Sequence, residues 1–273
     1  VRDNTGAAHG PAGRDAVVTE NAVGSEFAGQ AAIVTGGSQG IGGAIARRLS
    51  DGGAAVTICA RRPDRVADAV ERLRASGARA HGLAADVRDP AHVRRIVDET
   101  VREFGRLDVL VNNAGTGQIR DTLTLELEAW RDLLDTHLTG AFLMSQAAAR
   151  VMIPARRGVI LNIGSVFSVR GMPRRAAYCT AKHGIVGLTQ ALACEWAPHG
   201  LRVVALGPGY INTAREMPID FSGEVVERRT PQGRWGTPEE MAEVAAFLCS
   251  PRASFVNGSL TMADGGWVAY GGW

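Results

Sequence analysis

Tyr178 and Lys182 stand four residues apart, and Lys182 is the single lysine among thirty basic side chains. Arginine evidently serves wherever else this chain needs a positive charge. A compact ammonium is required where a planar guanidinium does not fit among close donors and acceptors. Residues at i and i+4 lie one above the other on a helix, so the Lys182 charge can sit beside the Tyr178 phenol. That charge favours the phenolate and is expected to bring the tyrosine down from its usual value of about 10 toward working pH.

The elements that must position this pair follow from composition and pattern. At 273 residues the chain has room for one large α/β domain with a sizeable core. A formal charge of +2, with arginines interspersed among Asp and Glu, gives no footprint for nucleic acid. The longest apolar runs fall far short of the ~18–20 residues that span a bilayer, so no membrane is expected. Cys59, Cys179, Cys194 and Cys249 are widely spaced without a C-x-x-C pair. That spacing predicts reduced thiols in a cytoplasmic protein, with neither a disulfide framework nor a metal site. Residues 1–28 are rich in Gly and Ala, lack a continuous apolar segment, and read as a flexible N-terminal arm. Residues 29–273 read as a single domain.

Within that domain, short β-branched runs alternate with helical patterns. Strands are expected at 31–35, 55–60, 107–111, 159–163, 201–206 and 259–262, with a further one ending near 84–86. Helices are expected at 41–51, from Pro63, from Asp89-Pro90, over 125–153 with a break near Thr139-Gly140, over 176–198 and over 238–249. Strict alternation with buried-looking strands implies a doubly wound parallel sheet of Rossmann type, helices on both faces. Its chemistry belongs on the loops at the strands' C-terminal ends. An irregular stretch over 207–236 reads as a substrate lid.

The first such loop, Thr35-Gly36-Gly37-Ser38-Gln39-Gly40-Ile41-Gly42, joins the first strand to the first helix. Glycines at 36, 40 and 42 permit a tight turn, close backbone approach to a pyrophosphate and close helix–sheet packing. The helix N-terminus then presents free N–H groups to the anion. The spacing G-x-x-x-G-x-G differs from the more widespread G-x-G-x-x-G.

With Asp86-Val87, Asn112-Asn113-Ala114-Gly115, Ser165, the Tyr178/Lys182 pair and Pro208-Gly209, the chain resembles the short-chain dehydrogenase/reductase family over about 30–266. It is similar to the compact single-domain members, such as β-ketoacyl reductases and polyol or sugar-acid dehydrogenases. The resemblance implies an oxidoreductase that moves a hydride between a nicotinamide cofactor and an alcohol/carbonyl pair in a small-molecule substrate.

A carboxylate just after the second strand would bond the ribose 2′-hydroxyl of NAD and repel a 2′-phosphate. Here Ala60 is followed by Arg61 and Arg62, and a guanidinium matches phosphate in bidentate geometry. NADP(H) is therefore expected, with NAD(H) as the alternative; Gln39 stands where many NADP-preferring relatives place a basic residue. By resemblance, Gly36, Ser38, Gln39, Gly40, Ile41 and Gly42 cradle the pyrophosphate, and Asp86 and Val87 border the adenine. Asn113, Ala114 and Gly115 then flank the ribose and nicotinamide. Pro208 and Gly209 shape the nicotinamide pocket, Ile211 offers backbone to the carboxamide, and Thr213 approaches the phosphates.

The resemblance makes Tyr178 the general acid of reduction and base of oxidation. Ser165, thirteen residues upstream, donates to the substrate oxygen, and Lys182 also holds the nicotinamide ribose. The family's Asn-Leu-Thr-Gly run is His137-Leu138-Thr139-Gly140 here. That Asn supports a water-linked proton relay to the lysine. His137 either takes over the relay, adding a group that titrates near neutral pH, or weakens it. Val204, where relatives often have Asn, reads as strand packing.

Phe167, Met172, Tyr210 and Met217 can form an apolar substrate wall. Arg120, Arg170, Arg174 and Arg175 read either as solvated arginines or as recruits for an anionic substrate. Arg156, with His199 as its companion, half-matches a carrier-protein dock. The helices over 125–153 and 176–198 are long and apolar enough to form intersubunit bundles, and the resemblance implies a homotetramer, against which the aromatic tail Trp267, Tyr270 and Trp273 can pack, unless the tail closes a neighbouring pocket. The competing reading is an NADP(H)-binding regulatory protein with little turnover, marked by the change at His137.

Overall fold

The computed structural model describes residues 25–117, 119–213 and 223–270. The strands β1 (Ala31–Thr35), β2 (Ala55–Ala60), β3 (Ala80–Ala84), β4 (Val109–Asn112), β5 (Gly158–Ile163), β6 (Leu201–Pro208) and β7 (Leu260–Ala263) form one sheet. Their order is β3-β2-β1-β4-β5-β6-β7, and each neighbouring pair is parallel. Strand β1 pairs with β2 on one side and β4 on the other, so the order reverses there. A crevice opens at the C-terminal ends of the two inner strands.

Successive strand residues point to opposite faces, and the sequence loads both with apolar groups. Ala32 and Val34 of β1 face one core, shared with α1 (Gly40–Asp51), α2 (Pro63–Ala75) and α8 (Pro238–Cys249). Ile33 faces the other, shared with α3 (Pro90–Phe104), α5 (Gly140–Ala155) and α6 (Ala176–Trp196). Each fully buried Ile, Leu or Phe in these layers contributes about 1.5–3 kcal/mol. Val204 is fully buried in β6, where a strand-packing role was expected.

Local chemistry sets the helix ends. Asp89 caps α3 by accepting from the Ala91 N–H, with Pro90 behind it, and Gly105 closes the helix in the left-handed region. Thr237 and Glu240 form a reciprocal capping box at α8.

Three details differ from the sequence expectations. Strand β4 begins at Val109 rather than 107; just before it the Asp108 carboxylate accepts from the Ala31 N–H at 2.9 Å and pairs with Arg106 and Arg157. The break expected near Thr139-Gly140 in the helical stretch 125–153 is present as a π turn at Asp135–Thr139 between α4 (Leu127–Leu134) and α5, while the first helix starts at Leu127 rather than 125. The extra residue of a π turn rotates α5 relative to α4, and His137 is buried within the turn. Strand β6 runs on to Pro208, into the stretch expected to be lid.

Residues 1–24 of the expected arm lie outside the described residues. Its last four are described: Phe27 is fully buried, and Glu26 pairs with Arg48 and Arg252. In the lid, Ile211 bridges to Gly236, and α7 (Gly223–Arg229) precedes the return to α8. Residues 214–222, Met217 among them, and Trp273 lie outside the described residues. No helix of the described residues is long and apolar enough to cross a membrane.

Candidate active site

The loop after β1 turns through Gly36 at φ 65° and Gly40 at φ 56°, values that L side chains rarely adopt. A Cβ on Gly42 would lie 2.3 Å from the Asn113 amide nitrogen. That amide donates to the Thr35 carbonyl at 2.9 Å and the Gly36 carbonyl at 3.2 Å. Asn113 thus spends its side chain on clamping the glycine turn to β4. The Thr35 hydroxyl reinforces the clamp by accepting from the Asn113 and Ala114 N–H groups. Gln39 leaves α1 without a side-chain cap, so the first-turn N–H groups of Gly40, Ile41 and Gly42 line the cleft.

From this turn a cleft of about 790 Å³ runs along the sheet edge. At one end it is lined by Arg61, Arg62, Arg65, Asp86 and Val87, at the other by His137, Ser165, Tyr178, Lys182, Pro208 and Gly209. Ser38, Gly115, Ile211 and Thr213 also line it. All the residues expected to meet the cofactor or the substrate's reacting group are therefore brought together. The volume, the uncapped helix and the glycine turn fit a dinucleotide.

The basic end differs in detail from the sequence expectation. Arg62 turns back to pair with Asp64 at 2.5 Å. Arg65, in the first turn of α2 and not singled out from sequence, reaches the Gln39 side-chain oxygen across the cleft. Asp86 is held in a fork by Arg88 at 2.7 Å, which also reaches Asp132. The Arg88 guanidinium keeps the Asp86 carboxyl below its usual range despite partial burial. Arg88 was likewise not flagged, though its position two residues after Asp86 was a readable signal.

At the other end, α6 and the turn after β5 position the polar groups. Ser165 caps a short 3-10 turn, its hydroxyl oxygen accepting from the Phe167 N–H at 3.2 Å. Its hydroxyl also draws the pKa of the Tyr178 phenol downward. Lys182 is buried and donates to the Ile163 carbonyl at 2.6 Å, with its nitrogen 5.7 Å from the Tyr178 ring centre. His137 packs edge-on to Tyr178 at 5.4 Å. Its Nε2 lies 3.0 Å from the Thr116 nitrogen and 2.8 Å from the Thr116 oxygen, while Nδ1 is buried without a protein partner among the described residues.

Two electrostatic expectations need correcting. Tyr178 is raised, not lowered: burial dominates, opposed by the Ser165 hydroxyl and the Arg175 charge rather than by Lys182. Burial also pushes Lys182 itself down to about 8. His137 does not titrate near neutrality; burial first and the Lys182 charge second push it down to about 3. A small pocket of about 10 Å³ separates His137 from Lys182, at the lower limit for one water molecule.

Aromatic edges enclose the mouth. Phe167 meets Tyr178, Tyr210 and Trp267 at 6.1, 6.4 and 5.9 Å, and Tyr210 also meets Trp235. Met172 sulfur lies 4.0 Å from the Tyr210 hydroxyl. Trp267 of the aromatic tail therefore packs on its own chain's cleft, while Tyr270 is half-exposed. The four arginines separate: Arg170 donates to the Val169 and Val268 carbonyls, Arg120 and Arg174 are exposed, and only Arg175 lines the cleft. Arg156 ends α5 in the left-handed region and donates to the Pro198 carbonyl.

A family-wide sequence profile described as enoyl-(acyl carrier protein) reductase matches residues 36–268. The chain is 41% identical over 252 residues to the cis-4-hydroxycyclohexanecarboxylate dehydrogenase of Sinomonas cyclohexanicum, covering 90% of this chain and 100% of that one. It is 40% identical over 245 residues to the A-factor type gamma-butyrolactone 1'-reductase (1S-forming) of Streptomyces virginiae, covering 87% and 95%. A solved gluconate 5-dehydrogenase from Burkholderia cenocepacia J2315, in complex with NADP and tartrate, superposes with a TM-score of 0.85 at 35% identity, covering 90% and 98%.

Proposed function

The chain belongs to the short-chain dehydrogenase/reductase family of oxidoreductases, and from that premise we propose an NADP(H)-dependent enzyme acting on an alcohol/carbonyl pair. The observation that carries this reading is the convergence of Ser165, Tyr178 and Lys182 at one end of a dinucleotide-sized cleft whose other end holds Arg61 and Arg65. A nicotinamide bound in the cleft would supply or accept the hydride.

The chain's own residues handle the proton. Tyr178 gives it to the carbonyl oxygen in reduction and takes it from the alcohol in oxidation. The Phe167 N–H occupies a lone pair of the Ser165 hydroxyl, which leaves the hydroxyl proton for the substrate oxygen beside Tyr178. Lys182, braced on the Ile163 carbonyl and pushed down to about 8 by burial, would hold the nicotinamide ribose. Neutral His137 directs Nδ1 into buried space, and the small pocket between it and Lys182 supports a water-linked relay at the position where relatives use Asn.

The preference for NADP(H) rests on charge. Arg61 and Arg65 line the end where a 2′-phosphate would lie, and Gln39 orients Arg65 toward the glycine turn. Asp86, the acid at that end, is neutralised by Arg88 and offers no free carboxylate to a ribose 2′-hydroxyl. The same reading includes a homotetramer in the cytoplasm, supported by exposed Leu127 and Phe142 on α4 and α5, and an N-terminal arm that ends before Glu26 and Phe27, which belong to the domain.

The relatives favour hydroxy acids and secondary alcohols as first substrates to try. The test is consumption of NADPH and NADH with cyclic ketones, oxo acids, keto sugars and β-ketoesters, read by the loss of reduced-nicotinamide absorbance. Turnover with NADPH at least about tenfold above NADH is expected. Tight NADPH binding with no turnover across the panel would favour a cofactor-binding regulatory protein instead.

A further inference from the structure

Apart from the cofactor loop, the reaction end of the cleft carries two cations, Lys182 and Arg175. Lys182 is buried and committed to the Ile163 carbonyl. Arg175 is only partly buried, three residues before Tyr178, with its guanidinium carbon 5.7 Å from the Tyr178 ring centre. Its charge acts on the phenols of both Tyr178 and Tyr210. Among the described residues that line the cleft, the one acid is Asp86, at the far end and paired with Arg88. Counted over the described residues, the substrate end is therefore electropositive beneath aromatic walls of Phe167, Tyr210 and Trp267.

Resting on the oxidoreductase reading above, we infer that Arg175 is the carboxylate-binding residue of the substrate pocket, so that the substrate is a hydroxy acid or oxo acid. Its carboxylate lies a few bonds from the reacting carbinol carbon. A planar guanidinium binds a carboxylate through two parallel N–H bonds, which fixes orientation as well as charge. A partly desolvated site strengthens that contact relative to a surface arginine. The aromatic edges take the carbon skeleton between the two polar ends. The three neighbouring arginines cannot do the same work, because Arg170 is turned to backbone carbonyls and Arg120 and Arg174 face solvent.

The experiment compares 3-oxobutanoate, 4-oxopentanoate and 4-oxocyclohexanecarboxylate with their ethyl esters, in the wild type and in Arg175→Met and Arg175→Lys. Alongside, calorimetry measures cyclohexanecarboxylate and cyclohexanecarboxamide binding to the protein saturated with NADP+. NADPH binding serves as the control for folding. The wild type should favour at least one acid over its ester by about 10- to 100-fold in kcat/KM, mostly through KM. Arg175→Met should bring that ratio close to one, and Arg175→Lys should restore part of it. The carboxylate should bind more tightly than the carboxamide only when Arg175 is present. An equal loss for acid and ester would overturn the inference and make Arg175 a positioning residue for Tyr178. A wild type with turnover but no preference for acids would overturn it while leaving the oxidoreductase reading intact. If no ketone turns over, the oxidoreductase reading fails, and carboxylate binding that is no tighter than carboxamide binding, or that is unchanged in Arg175→Met, sinks this one independently.

Discussion

A Cβ on Gly115 would lie 2.3 Å from Cε1 and 2.8 Å from Nδ1 of His137. The imidazole thus occupies its place beside Tyr178 only because residue 115 has no side chain. The π turn at Asp135–Thr139 brings His137 inward, and the Thr116 backbone holds its Nε2. Gly115→Ala should therefore displace His137 and destabilise the fold by about 1–3 kcal/mol. The smaller side chain of His137→Asn should relieve much of that cost in the double variant. Chemical denaturation of the four proteins measures the coupling; strictly additive effects would mean that the two positions do not contend for space.

His137 also makes stability depend on pH. Its native value is about 3, well below the ~6.5 of an unfolded chain. Between those values the unfolded chain carries a proton that the native one lacks, so stability rises with pH and is lost as pH falls through the window. The slope is at most about 1.4 kcal/mol per pH unit. Between pH 7 and pH 5 the wild type should lose up to about 2 kcal/mol more than His137→Asn. Parallel pH profiles for the two proteins in urea would remove His137 as the source.

Tyr178→Phe should lower kcat by at least about 10²–10⁴-fold while leaving NADPH affinity within a factor of a few. Because burial raises the Tyr178 phenol, alcohol oxidation in the wild type should accelerate as pH rises. The Ser165 hydroxyl opposes that rise, so Ser165→Ala should move the acceleration to still higher pH. Retained turnover in Tyr178→Phe, or a flat oxidation profile, would remove the phenol from proton transfer.

Cofactor choice should respond to two positions. Arg61→Asp should shift the NADPH/NADH ratio of kcat/KM toward NADH by about 10- to 100-fold, through repulsion of the 2′-phosphate and loss of a charge-assisted contact. Arg65→Ala should shift it in the same direction by less, and Arg62→Ala hardly at all, because Arg62 is engaged with Asp64. A larger effect at Arg62 than at Arg65 would mean that the Asp64 pair opens when the cofactor binds.

Phe27 lies just outside the domain limit expected from sequence, yet it is fully buried against Gly52, where a Cβ would come within 2.6 Å of its ring. Phe27→Ala should cost about 3–5 kcal/mol. An unchanged melting temperature would show that this segment does not contribute to the core.

Much of the protein was legible in its chain because local rules sufficed. Unbroken apolar runs such as Ala31–Thr35 read as buried strands, and Pro63 and Asp89-Pro90 announced their helices. The glycine turn, the Tyr178/Lys182 spacing and the order of motifs were enough to place the chain in its family, and seven parallel strands bear out the sheet. These features depend on residues near one another in sequence or on period, which a linear string preserves.

What only the tertiary structure decided concerns groups far apart in the chain and the dielectric around them. Spacing put Lys182 beside Tyr178, but burial rather than that neighbour governs the phenol and pushes the ammonium down to about 8. Nothing local told Arg175 from Arg174, one turned into the cleft and the other exposed, or joined Arg65 to Gln39 across twenty-six residues. His137 read as a neutral-range titrating group until the π turn and Gly115 enclosed it. Charge and type are written in the sequence; desolvation and distance arise only when the helices close on the sheet.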